Sequence, residues 1–292
     1  MRSVWRALLI VPVLCAGTAL AGDGAWSHFL KGVKQYEARN IELAEKHFRT
    51  ALRNDEQLWD AYYYLGLILD KRGESKGART CLLKLPEERS LYAAAQAKLG
   101  QMATVRGKYP DAATHYQASA AKRPSVDAWI EAATACMRAH KYPEAEECLL
   151  NCQKLTKGDL RLVENFARLY METKQWAKAV PHYDKLIEIS PRDNAAKFGK
   201  AVCLKYGGDK YEAIRLLETI LESEPVHIGA LKHLIDAYDG KRGKEQVRHK
   251  LIGRLEYLKR NPIKKHPPPP RHKNQDRPPM PRMPADEERE SK

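Results

Sequence analysis

The 292-residue chain has no Gly-rich phosphate loop behind a strand, no His-Glu-x-x-His, no Gly-x-Ser-x-Gly and no paired-cysteine zinc spacing. It therefore offers none of the usual motif-borne routes to nucleotide, metallohydrolase or serine chemistry, and a non-catalytic protein with no cofactor and no metal is expected. Cysteine is scarce. Of six, five (Cys81, Cys136, Cys148, Cys152 and Cys203) lie beyond Ala21, and an odd number cannot close a disulfide framework. Small buried hydrophobes are the favoured reading, although antiparallel packing would bring Cys136 nearer Cys148 than Cys152. Long apolar runs are also missing. The one candidate, "ALLIVPVLCAGTALA", is shorter than the roughly 20 residues that span a bilayer and is broken by Pro12 and Gly17.

That run follows Arg2 and Arg6 and ends in Ala19-Leu20-Ala21, which reads as a signal peptide over residues 1–21, cleaved after Ala21. An uncleaved anchor is the lesser alternative, and Leu14 before Cys15 disfavours a lipoprotein. The mature chain is expected to be periplasmic or secreted, with no transmembrane helix. From Pro262 to Lys292 prolines and charges leave almost nothing to join a core, so a disordered basic tail is expected.

Between these ends alanine recurs at Ala44, Ala78, Ala112, Ala145, Ala179 and Ala213. With each alanine numbered 20 in its unit, position 8 is small (Gly66, Gly100, Ala133, Ala167, Ala201) and position 24 is bulky (Phe48, Leu82, Tyr116, Leu149, Tyr183, Leu217). Two antiparallel helices approach closely where both lack bulk, so positions 8 and 20 are expected to mark the contact of helix A with helix B. Position 27 is apolar except at Ser119. Gly73, Gly107 and Gly208 fall between the helices, Pro110 and Pro143 sit just inside helix B, and Pro124, Pro191 and Pro225 end it.

"YYYLG" at Tyr62 to Gly66 and "LGQMATVRGKYPDAATHYQASAAKRP" at Leu99 to Pro124 resemble the tetratricopeptide repeat, and the likeness extends over roughly residues 25 to 260. It implies an all-α, right-handed α-solenoid of six to seven helix pairs over residues 22–261. Departures lie at the ends and in unit two. Gln35 replaces an aromatic residue, Pro86 comes too early for a full helix B, and Val247 replaces the alanine in a degenerate or capping last unit.

The resemblance further implies a concave groove lined by helix A, binding a protein or peptide segment. Unit two contributes Tyr63, Tyr64 and Leu67; units four and five contribute Ile130, Met137, Arg138, Arg168 and Met171. Unit six adds Phe198, Val202, Lys205 and Tyr206. Ile130, Thr134, Glu164 and Arg168 stand where chaperone-binding members carry a carboxylate clamp, which disfavours that ligand class. The net charge of +14 is concentrated late: residues 241–292 hold 16 Lys and Arg against 7 Asp and Glu. Lys241, Arg242, Lys244, Arg248, Lys250, Arg254, Lys259 and Arg260 form a basic patch, so an anionic surface is the alternative partner. Nucleic acid is disfavoured, because only Tyr257 could stack a base there. Position 23 alternates His47, Cys81, His115, Cys148 and His182, but neighbouring units stand too far apart for these to share a metal.

Overall fold

In the computed structural model, residues 22–156 and 158–261 are described; the expected signal peptide and proline-rich tail lie outside them. Among the described residues there are fourteen α-helices and no strand. They pair as α1 (Gly22–Glu37) with α2 (Ile41–Asn54), α3 (Trp59–Lys71) with α4 (Ser75–Leu83), α5 (Tyr92–Val105) with α6 (Tyr109–Lys122), and α7 (Val126–Arg138) with α8 (Tyr142–Leu155). Then come α9 (Leu160–Glu172) with α10 (Trp176–Ile189), α11 (Asn194–Gly207) with α12 (Lys210–Ser223), and α13 (Ile228–Ala237) with α14 (Glu245–Arg260). Each helix packs on its neighbours in sequence, and α7 also reaches α9 and α11 reaches α13. This is an α-solenoid of seven helix pairs.

Local chemistry sets the boundaries. Asp159, Asp193 and Asp209 cap α9, α11 and α12 through their carboxylates, Ser125 caps α7, and Pro110 and Pro143 occupy the first turns of α6 and α8. The reversal from helix A to helix B puts position 15 in the left-handed region in each of the first six units. Glycine fills it at Gly73, Gly107 and Gly208, but Arg39, His140 and Lys174 adopt φ of 63°, 57° and 58° at the same place.

The six repeat alanines are fully buried or nearly so. Position 8 does not meet position 20 alone, however: a Cβ on Gly66 would lie 2.8–2.9 Å from Leu82, and one on Gly100 2.9 Å from the Tyr116 ring. The tight contact is therefore small against large, with position 24 of helix B driven over position 8 of helix A. Ser119, the polar exception at position 27, is buried and donates to the Ala93 carbonyl at 2.8 Å, as Cys152 does to the Val126 carbonyl at 3.8 Å one unit later.

Two irregularities follow the sequence. Helix α4 has 9 residues where α2, α6, α8, α10 and α12 have 14, since Pro86 forbids its continuation. In the last pair Val247 is 41% exposed, and Leu255 and Leu258 of α14 instead pack with Leu231 and Leu234.

Candidate functional site

The expected groove residues separate into three groups. At the N-terminal end Tyr63, Tyr64 and Leu67 are half-buried. The Tyr64 ring stacks on Phe48 at 5.2 Å and meets Tyr36 and Tyr63 edge-on at 5.5 Å. Burial pushes the Tyr63 hydroxyl up to about 12, so it stays a neutral hydrogen-bonding group. Tyr64 works mainly as packing between the first two units.

In the middle the structure corrects two residues. Ile130 and Met137 are 9% and 3% exposed and belong to the same apolar cluster as Phe166 and Leu169. Helix α7 packs directly against α9, so aliphatic side chains on this stripe sink between the helices and present nothing to a partner. The half-buried Met171 sulfur accepts the Tyr183 hydroxyl at 3.3 Å. Arg138 and Arg168 are exposed. The Arg138 guanidinium lies 5.4 Å from the Tyr109 ring centroid, and Arg168 Nη2 donates to Asn165 Oδ1 at 2.8 Å.

The third group is the most coherent. Tyr206 is 55% exposed and its ring stacks on Trp176 at 5.4 Å; His233 meets it edge-on at 6.3 Å. Phe198 fits between His227 at 4.9 Å and His233 at 5.4 Å. Lys205 Nζ lies 3.3 Å from both His233 Nδ1 and Asp236 Oδ2. Burial, reinforced by the Lys205 ammonium, lowers the His233 pKa and keeps the imidazole neutral at neutral pH. The result is a row of aromatic rings with a fixed ammonium beside them, carried by α10, α11 and α13.

A tetratricopeptide repeat family model matches residues 29–93 and 92–150. Among solved structures, residues 41-end of MamA from Desulfovibrio magneticus RS-1 align with a TM-score of 0.55 at 14% identity, covering 59% of this chain and 97% of that one. YrrB, a TPR protein with an unusual peptide-binding site, aligns with a TM-score of 0.54 at 18% identity, covering 64% of this chain and 96% of that one. Residues 29–150 are tetratricopeptide repeats. At these identities the two structures share this chain's fold, and no curated protein matches it.

Outside the groove, the basic patch on and just before α14 is partly neutralised. Arg248 pairs with Asp239 at 3.1 Å and Arg260 with Glu256 at 3.9 Å, while Lys241 and Lys244 lie over the rings of Tyr211 and Tyr238. Arg254 is half-buried; Arg242, Lys250 and Lys259 are exposed. The five cysteines beyond Ala21 are free thiols, four of them buried. Cys136 and Cys148 are buried in the same apolar cluster; the neighbouring Cys148 sulfur and burial hold the Cys136 thiol protonated. No group of three or more His, Cys, Asp or Glu among the described residues could hold a metal. Members of the position-23 series find separate local partners: His115 Nδ1 lies 2.7 Å from Gln96 Oε1, His47 Nδ1 lies 3.2 Å from His28 Nδ1, and His182 stacks on Phe166 at 5.1 Å.

Two features escaped the sequence reading. Arg161 pairs with Asp127 of the preceding unit at 2.7 Å and with its own cap residue Asp159 at 2.9 Å; the repeat offset 127 to 161 was the available clue. A cleft of about 630 Å³ runs along α2, where buried Glu45 holds Arg49 at 2.7 Å and Arg72 at 2.5 Å. Glu45 follows the repeat alanine in a stretch that reads as ordinary amphipathic helix, so nothing in the pattern marks it.

Proposed function

We propose that this protein is a non-catalytic interaction scaffold that holds a segment of a partner protein in the concave face of its array. The tetratricopeptide fold is generally a protein-interaction fold, and YrrB is a relative in fold with a peptide-binding site. The observation that carries the reading is the row Trp176, Tyr206, His233 and Phe198 with Lys205 at its edge. Pre-stacked rings, with Tyr206 exposed and Trp176, His233 and Phe198 half-buried, give a partner contact area at little entropic cost, and an adjacent ammonium selects a carboxylate or a carbonyl. Arg138 and Arg168 continue the basic character toward the middle of the array.

The test is capture of partners by crosslinking in the native cell, repeated with Tyr206→Ala and Trp176→Ala. Each variant is expected to weaken capture by about tenfold, the size of one aromatic anchor; unchanged capture by both would overturn the groove assignment. Export to the periplasm or beyond, directed by residues 1–21, belongs to the same proposal, and the N-terminal residue of the mature protein tests it. Docking on an anionic surface through Lys241 to Lys265 is the second reading, supported by exposed Arg242, Lys250 and Lys259. It would fall steeply with salt, whereas ring-led groove binding would not.

A further inference from the structure

The paired histidines at the open end of the array form the most specific geometry left unassigned. His28 stands at position 4 of helix α1 and His47 at position 23 of α2, both half-buried, with their Nδ1 atoms 3.2 Å apart and ring centroids 5.5 Å apart. The same two positions meet in unit three, where Gln96 and His115 make an ordinary hydrogen bond of 2.7 Å. The fold therefore presents positions 4 and 23 to each other, and only in unit one does it present two imidazole nitrogens. Helices α1 and α2 begin the array, so no preceding helix pair covers this face among the described residues.

We propose that His28 and His47 form a two-imidazole site for a borderline divalent cation, Zn(II) foremost. Zn–N bonds of about 2.0–2.1 Å in tetrahedral geometry put two ligand nitrogens about 3.3–3.4 Å apart, close to the separation found here. Without metal, one Nδ1 carries a proton and donates it to the other. Metal binding moves that proton to Nε2 of the same ring, freeing both Nδ1 lone pairs without net proton release. Water fills the remaining positions, or a second copy of the chain fills them with its own pair. Lys31 and Lys46 stand nearby and oppose the cation, so the site is weaker than a three-ligand centre.

The discriminating variant is His28→Gln, which rebuilds in unit one the Gln–His hydrogen bond of unit three. The experiment titrates the tag-free full chain with Zn(II) alone by calorimetry, and with Co(II), whose d–d absorption reports tetrahedral coordination. Saturable binding is expected, at one ion per chain for a water-completed site or one per two chains for a bridged site. His28→Gln and His47→Gln should each weaken it by at least about tenfold, the scale on which even outer-shell losses act, at unchanged melting temperature. His140→Gln and His249→Gln should leave it intact. Equal affinity in His28→Gln, or no saturable binding by the unaltered protein, would overturn the assignment.

Discussion

The residue most costly to the chain for its size is the one at position 15. Gly73 and Gly107 have open space where a Cβ would sit, so their requirement is purely conformational, and Arg39 and Lys174 hold the same left-handed backbone against their preference. Lys174→Gly and Arg39→Gly are each expected to stabilise the fold by about 0.5–1 kcal/mol, and Gly73→Ala to destabilise it by about 1 kcal/mol; denaturant midpoints at constant m check all three. His115, His182 and His233 all have lowered pKa values, chiefly from burial. A group with a depressed folded pKa binds its proton more readily in the unfolded chain. The stability it contributes is complete above about pH 6.5 and is lost as pH falls toward the folded pKa. The melting temperature should fall from pH 7.5 to 5, less steeply in His182→Leu, and a flat profile would contradict the burial of these rings. The glycines at position 15 were legible in the sequence. The lysine and arginine that replace them were not, because only the backbone of the neighbouring units reveals that they share a turn.

At the scale of the helix, the alanine period was sufficient to place six pairs and to foresee the short α4 from Pro86. What it did not yield was the partner of each small residue, since spacing along one chain does not say which side chain leans across. Unit three shows the consequence. A Cβ on Gly100 would press the Tyr116 ring, and that ring is buried. Gly100→Ala should therefore destabilise by about 1–2 kcal/mol despite alanine's better helix propensity, because overpacking outweighs it. Thermal unfolding monitored by circular dichroism gives the answer. Burial of Ile130 and Met137 has a similar origin: groove positions inferred from a periodic pattern assume equal spacing between A helices, whereas the direct contact of α7 with α9 closes that stretch. The tyrosine and phenylalanine positions stayed partly open because their rings outreach the helix interface.

For the whole molecule, stability is the sum of units and of the interfaces between neighbours. Helix α4 offers 9 residues where α2, α6, α8, α10 and α12 offer 14, so the junction between α4 and α5 is the thinnest, and Lys84 to Leu91 crosses it without forming an α-helix. Limited trypsin digestion of the native protein is expected to cut first at exposed Arg89 or Lys84, giving fragments that mass spectrometry divides near that segment. First cleavage between α6 and α12 would show instead that the middle of the array is its weak point. Charge at this scale was less legible than composition implied: the basic patch is real in sequence, yet Asp239 and Glu256 and two tyrosine rings take up half of it.

The shifted register of the final pair bears on how long such a protein can become. Because α14 meets α13 through Leu255 and Leu258 and leaves Val247 outside, its far side does not reproduce the surface on which α13 itself was laid down. The array is thus terminated chemically, much as a growing polymer is stopped by a monomer lacking its second reactive end. Its length is editable in the interior, by duplicating a regular unit such as α7 with α8, and not by extension past Arg260.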